Sequence, residues 1–201
     1  MFLKGLLPLV VALLASAIGS ADRDWGTLRY LYVQPVSRSR LLTGKLGAVL
    51  ITTAAAIGCV LLAGLLIGLA LFGWHPFHLI GAANLATSEA IPRVLAASGY
   101  TLLCMLSIAA IAFALGLLLP HGAEALGVSV AFVIAASILN AQSHLHALAV
   151  ILPMHYWQNW THLFDPTGTA QLGGGVIDQL ATIAVATALS VLVLLRRDPA
   201  A

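Results

Sequence analysis

Residues 46–72 read LGAVLITTAAAIGCVLLAGLLIGLALF and contain no Asp, Glu, Lys or Arg. An α-helix needs about 20 apolar residues to cross the hydrocarbon core of a bilayer, and this stretch is longer than that. The whole chain shares the bias, with 61% hydrophobic residues, 8% charged residues and a mean hydropathy of +1.02. Soluble domains carry about 25% charged residues. The composition therefore excludes a soluble enzyme or a nucleic-acid-binding domain and predicts an integral membrane protein.

Long uncharged stretches recur along the chain and predict further spans. We expect helices rather than a β-barrel, because the apolar runs are long and lack strict alternation. The prediction is an all-α polytopic membrane protein in which residues 1–201 form one transmembrane domain. Asp178 lies close to one end of the last span, where a carboxylate can reach the lipid headgroups. The five predicted spans are 5–20, 46–72, 95–119, 123–139 and 174–195.

The basic residues predict the orientation in the membrane. Most of the nine Lys and Arg residues lie either between the first two spans or directly after the last one. Lys and Arg concentrate in cytoplasmic loops. We therefore expect a multi-pass protein of the cell (inner or plasma) membrane, with its N-terminus outside and its C-terminus in the cytoplasm. A cleavable signal peptide at residues 1–21 is the alternative, but it would leave the basic segment outside.

The polar segment 21–45 reads ADRDWGTLRYLYVQPVSRSRLLTGK. Asp24 or Thr27 can cap a short helix over about residues 28–33, which Pro35 would end. A serine at position 37 or 39 can then cap the next spanning helix. The pattern predicts a short amphipathic helix across the cytoplasmic mouth of two spans, and an ordinary solvated loop is the alternative.

Three groups of residues in this segment resemble the first cytoplasmic loop of type 2 ATP-binding-cassette (ABC) exporter permeases. They are Asp22-x-Asp24-x-Gly26-Thr27-Leu28, then Pro35-Val36-Ser37-Arg38, then Leu41-Leu42-x-Gly44-Lys45. The resemblance implies the membrane-spanning permease subunit of an ABC exporter, with Asp where Glu is usual in the acidic pair. Such permeases have six spans, so the first helix is expected to be missing from this sequence. They also carry a partly inserted outer segment, here about 142–165, with Tyr156, Trp157 and Trp160 at interfacial depth.

The same resemblance implies partners and a coupling surface. Two cytoplasmic ABC ATPase subunits, which carry ATP and Mg²⁺, would bind the loop, and a second permease subunit, identical or different, would complete a dimer among membrane lipids. The chain itself is expected to bind no cofactor and to be no enzyme, because Ser39 and Leu46 break the P-loop pattern around Gly44-Lys45. An accessory or scaffold protein (a degenerate permease) and an ion-coupled carrier remain alternatives. The coupling residues would be Asp22, Asp24, Gly26, Thr27, Leu28, Leu31, Pro35, Ser37, Arg38 and Lys45.

Two smaller patterns have competing interpretations. Gly64 and Gly68 form a GxxxG run, which suits close helix packing either within the subunit or between subunits. His144, His146 and His155 could together meet copper or zinc, or they could be neutral interfacial side chains.

The predicted orientation is tested with single cysteines at Ser39 and Gln171, in a background lacking Cys59 and Cys104. Because the two positions are expected on opposite sides, a membrane-impermeant thiol reagent should label position 171 but not position 39 in intact cells. Labelling of position 39 from outside would contradict the orientation and favour the signal peptide.

Overall fold

The computed structural model describes residues 3–24, 38–73, 87–141, 152–164 and 172–196. This part of the chain is helical and contains no strand, so the predicted all-α class is confirmed. The elements are α1 (Leu3–Asp24), α2 (Arg38–Phe72), α3 (Thr87–Leu118), α4 (Gly122–Ala141), a 3₁₀ helix (Trp157–Phe164) and α5 (Leu172–Arg196).

Five described helices are long and apolar enough to cross a membrane, and each overlaps one predicted span. The helices extend beyond the apolar windows at most ends. Helix α2, for example, begins at Arg38, and α1 continues to Asp24. Charged residues end an apolar stretch without ending a helix, since Lys, Arg and Glu are good helix formers. The sequence therefore locates the spans better than it locates the helix ends.

Helix α3 occupies the centre of the bundle and contacts every other described element. Over half of its membrane-spanning window is buried, against 6% of the window of α2. Phe113, Met105 and Ile108 are among its fully buried side chains. Helix α2 lies at the periphery and leaves most of its second half exposed, as suits a helix surrounded by lipid or by another subunit.

Helices α1 and α3 are in close backbone contact at Gly19 and Gly116. A methyl group added at Gly116 would lie 2.5 Å from the carbonyl oxygen of Ser16, and one at Gly19 would lie 2.8 Å from that of Phe113. Ala112, one turn before Gly116, is also buried. Small residues let helix backbones touch in a membrane, where lipid offers no hydrophobic drive for association.

The helices alternate in direction and give the bundle two distinct ends. Gly19 and Gly116 meet near the ends of α1 and α3, whereas Leu7 and Val94, near their starts, line one cleft. Lys45, early in α2, reaches the end of α1, so α2 runs in the opposite direction. We refer to the Lys45 end and to the Trp157 end, where the 3₁₀ helix lies. Which end faces the cytoplasm stays a prediction.

The crossing of α1 and α3 predicts that Gly116→Ala destabilises the protein. The added methyl has no room against the α1 backbone, and overpacking of this kind costs roughly 1–3 kcal/mol. Gly99→Ala is the matched control on the same helix, because no described residue lies within 4 Å of a methyl group there. Thermal unfolding in detergent should give a lower midpoint for Gly116→Ala alone. Equal midpoints for both variants would contradict the observed crossing.

Candidate functional site

At the Lys45 end, an ion pair joins the end of α1 to the start of α2. The Lys45 Nζ lies 2.7 Å from Asp22 Oδ2 and donates a hydrogen bond of 3.2 Å to the carbonyl oxygen of Gly19. The two side chains are only 12% and 24% exposed. A cation near the C-terminal end of a helix is favourable, because the last carbonyl groups carry partial negative charge. Lys45 therefore ties the two helices together by charge and by hydrogen bonding.

This contact brings together two of the residues assigned to the coupling loop. Asp22 was expected to offer its carboxylate to a partner protein, and the structure pairs it with Lys45 of the same chain. Asp24 ends α1 and Arg38 begins α2. The remaining predicted coupling residues, Gly26, Thr27, Leu28, Leu31, Pro35 and Ser37, lie outside the described residues. The loop thus starts and ends on two helices that are fastened to each other.

At the Trp157 end, Gln179 holds the segment 152–164 against the bundle. Its side chain is fully buried in α5. The amide nitrogen donates a 2.7 Å hydrogen bond to the carbonyl oxygen of Pro153, and the amide oxygen accepts one from the hydroxyl of Ser107 on α3. A buried amide without partners would be costly. Gln179 therefore links α3, α5 and the segment in one polar contact.

Tyr100 makes a second attachment between α3 and the same segment. Its hydroxyl donates a 2.7 Å hydrogen bond to the carbonyl oxygen of Tyr156. Gly175 on α5 leaves the space for this contact, because a methyl group there would overlap the Tyr100 hydroxyl. Arg93 adds a third bond, from Nη1 to the carbonyl oxygen of Leu163 at 3.3 Å. Sequence analysis did not predict these three attachments of the segment 152–164, since single Tyr, Gln and Gly residues have no recognisable spacing.

The aromatic residues of the segment divide between core and surface. Trp157 is buried and packs with the hydrophobic core. Trp160 is only partly buried and packs edge-on against Phe164, with ring centroids 6.2 Å apart. The depth of the segment in a membrane stays a prediction.

Asp178 is partly buried near the start of the last span. Its Oδ2 is buried and has no hydrogen-bond partner among the residues that the structure describes. The carboxylate therefore turns partly into the bundle, and its contact with headgroups stays a prediction. A helix rotates each side chain by a fixed angle, so distance from a span end does not tell which way the side chain points.

Of the three histidines proposed to meet a metal ion, the structure describes His155. His155 Nδ1 lies 2.8 Å from Asn140 Oδ1, whereas His144 and His146 fall outside the described residues. Among the residues that are described, no group of three His, Cys, Asp or Glu side chains could hold a metal ion. Copper or zinc binding stays a hypothesis without support from the described contacts.

Gly64 and Gly68 do not pack within the described bundle. No described residue lies within 4 Å of a methyl group placed at either position, and the neighbouring side chains of Leu65 and Ile67 are exposed. The internal packing considered for this run is therefore not seen in the described ranges. Contact with a second subunit stays a prediction.

A cleft of about 340 Å³ opens on the surface of the bundle at the Trp157 end. Its walls come from α1, α2, α3 and the 3₁₀ helix, and its surface is almost entirely apolar. Ligand pockets commonly range from about 300 to 1,000 Å³. The walls include Leu7, Leu61, Val94, Trp157, Trp160 and Phe164.

These features define a polytopic helical membrane protein. At one end an ion pair joins α1 to α2, and at the other the segment 152–164 is hydrogen-bonded to the bundle. The chain belongs to the DUF2705 family, a family described as proteins of unknown function, whose model matches residues 1–198. No curated protein matches the sequence.

The Asp22–Lys45 pair predicts a measurable coupling between the two positions. Lys45→Met should destabilise the protein, because it removes the cation that pairs with a partly shielded carboxylate. The exchanged pair Asp22→Lys with Lys45→Asp should recover part of the lost stability. The double-mutant cycle of Asp22→Lys, Lys45→Asp and the exchanged pair should give a coupling energy of about 0.5–3 kcal/mol.

The matched control is the pair His121–Glu124, which is 74% and 53% exposed. Exposed pairs contribute little, so Glu124→Gln should leave the unfolding midpoint nearly unchanged. A coupling energy near zero at Asp22 and Lys45 would mean that the pair does not hold α1 to α2.

Proposed function

We propose that the chain is the membrane-spanning permease subunit of an ABC exporter, which moves substrate using ATP hydrolysed by a separate ATPase. The observation that carries the proposal is the spacing of three groups where the first two spanning helices are joined. They are Asp22-x-Asp24-x-Gly26-Thr27-Leu28, Pro35-Val36-Ser37-Arg38 and Leu41-Leu42-x-Gly44-Lys45. Several separate spacings agree in one loop. Five apolar helices of spanning length supply a suitable transmembrane scaffold.

The contacts at the Lys45 end support a mechanical role for this loop. An ATPase that closes on ATP must pull on a rigid element, because a loose loop would absorb the movement. The ion pair between Asp22 and Lys45 fastens the helices at the two ends of the loop, at 2.7 Å. A displacement of the loop would then move α1 and α2 together.

The central helix offers a route onward from that point. Helix α1 packs against α3 at Gly19 and Gly116 with almost no free space. Helix α3 in turn holds the segment 152–164 through Tyr100 and Arg93. Packed interiors transmit strain because they are dense. Movement at the Lys45 end would therefore reach the Trp157 end through two direct contacts.

The proposed assembly contains two permease subunits and two ATPase subunits, and ATP with Mg²⁺ would be bound by the ATPases. Helix α2 leaves a long apolar face uncovered, including Leu62, Leu66 and Gly64. This face is available to a second subunit or to lipid. We place the Lys45 end in the cytoplasm of the cell (inner or plasma) membrane, because the basic residues concentrate there.

One observation favours a second candidate, an ion-coupled carrier. Asp178 carries a buried carboxylate oxygen without a hydrogen-bond partner in the described ranges. Acidic groups at membrane depth often mark ion pathways. Such a carrier needs no ATPase, and neither does an accessory or scaffold protein, so the assay below separates both from the exporter.

The proposal predicts that two substitutions in the loop uncouple the subunit from its ATPase. Asp24→Lys replaces attraction for basic partner groups by repulsion, and Leu28→Asp places a charge in an apolar docking contact. Each variant should still insert in the membrane, yet it should bind the ATPase more weakly and lose transport. Pull-down of the ATPase and ATP turnover in reconstituted membranes provide the measurement.

Arg40→Ala is the control, because Arg40 is exposed near the start of α2 and is expected to face headgroups. It should leave binding and turnover close to those of the unaltered protein. If Asp24→Lys and Leu28→Asp both retain full ATPase binding and stimulated turnover, the loop is not the coupling element.

A further inference from the structure

We propose that the cleft at the Trp157 end binds one glycerophospholipid, with an acyl chain in the cleft and the phosphate at Arg93. This site is independent of the proposed ATP-driven transport. It concerns a contact that the chain makes by itself with the membrane in which it lies.

The walls of the cleft suit a hydrocarbon chain. Leu7, Leu61 and Val94 come from three spanning helices, and Trp157, Trp160 and Phe164 come from the 3₁₀ helix. Leu61 and Val94 stay 43% and 37% exposed, so the cleft opens sideways, toward the surroundings of the bundle. In a membrane those surroundings are lipid tails. A chain of methylene groups can therefore enter from the bilayer without crossing water.

The hydroxyl groups in the cleft do not make it polar. Ser98 donates to the carbonyl oxygen of Val94 at 2.7 Å, Thr101 to that of Ala97 at 2.8 Å, and Thr161 to that of Gln158 at 2.8 Å. Each hydroxyl thus uses its only proton within its own helix. Gln158 is the one amide side chain among the lining residues, so a sugar or another strongly polar ligand would find few donors here, whereas an acyl chain needs none.

Arg93 supplies the charge at the rim of the cleft. It directly precedes Val94 in α3, and its Nη1 donates to the carbonyl oxygen of Leu163, which directly precedes Phe164. Val94 and Phe164 both line the cleft, so this hydrogen bond joins two backbone segments that border it. Arginine has five N–H donors, and no described carboxylate lies within ion-pair distance of Arg93. An arginine side chain can bind a phosphate with two N–H groups in a fork geometry while a third holds the carbonyl oxygen of Leu163.

The combination of charge and apolar cleft favours a phospholipid over other apolar ligands. Tryptophan and arginine anchors occur at the depth of lipid headgroups. The partly exposed Trp160 lines this cleft, and Arg93 bonds to Leu163 in the same 3₁₀ helix. A phospholipid places its phosphate at the depth of the headgroups and its acyl chain in the hydrocarbon core of the bilayer. A diacylglycerol would fill the cleft but would offer Arg93 no phosphate.

The test uses the full chain with Trp25→Phe and Trp74→Phe, which leaves Trp157 and Trp160 as reporters. Phosphatidylglycerol with a dibrominated acyl chain is titrated into the purified protein in detergent, and quenching of tryptophan fluorescence is measured. Dibrominated diacylglycerol and a dibrominated fatty acid are titrated in parallel. Phosphatidylglycerol should bind about tenfold more tightly than diacylglycerol, since a charge-assisted contact adds roughly 1.5 kcal/mol.

Variants separate the two parts of the site. Arg93→Gln should abolish the preference for phosphatidylglycerol over diacylglycerol, and Arg93→Lys should keep most of it. Ser98→Phe should fill the cleft and reduce quenching by both lipids. Ser137→Phe is its matched control, because Ser137 makes the same kind of helix hydrogen bond at 2.8 Å on an exposed face of α4. Unfolding midpoints in the same detergent show whether each variant is folded.

Three results would overturn the proposal. Quenching in Ser98→Phe equal to that in Ser137→Phe would place the acyl chain elsewhere. An unchanged lipid preference in Arg93→Gln would remove the phosphate from Arg93. A fatty acid that binds as tightly as phosphatidylglycerol and displaces it would identify a different occupant. Loss of ATPase coupling in other variants would leave these lipid measurements unaffected.

Discussion

The close contact of α1 with α3 is the constraint on which the rest of the bundle depends. In a lipid environment the helices gain little from hydrophobic association, so they are held by fit and by hydrogen bonds. Gly19 and Gly116 allow the two backbones to touch, and this contact fixes the central helix relative to the first. Because α3 also contacts every other described element, its position sets the positions of α2, α4 and α5.

The few polar groups inside the bundle occupy the places where elements must be joined. Lys45 joins α2 to the end of α1, and Gln179 joins α5 to the segment 152–164 and to α3. A buried polar group in a membrane costs free energy unless it is paired. Pairing it with one defined partner therefore selects one arrangement of the helices among the many that are equally apolar. The fastening of α1 to α2 at one end and of the segment to α3 at the other thus follows from a handful of polar side chains.

Sequence reasoning predicted the fold class and the five spans. The hydrocarbon thickness sets the length of a spanning helix, and charge-free stretches of that length can be seen in the sequence. The same reasoning did not predict which helix faces pack against each other. Gly64 and Gly68 form the visible GxxxG run, yet they face outward, whereas the tight crossing uses Gly19 and Gly116, which stand alone in sequence. The available signal in the sequence was a small residue four positions before the glycine, as in Ala112 before Gly116, and Ala112 is buried in the structure. Nor does sequence tell that Trp157 packs inward or that Asp178 turns partly into the bundle, since both depend on the rotation of an element about its axis.

The most direct test of the proposed exporter function is the composition of the complex in its own membrane. The chain, tagged at its C-terminus, is purified in nanodiscs from its native cells, its native mass is measured, and ATP hydrolysis is assayed on the same sample. The exporter predicts two copies of a P-loop ATPase with two permease subunits and ATP turnover that depends on Mg²⁺. A monomeric chain that carries no ATPase and no turnover, and that binds none when a candidate ATPase is supplied, would contradict it.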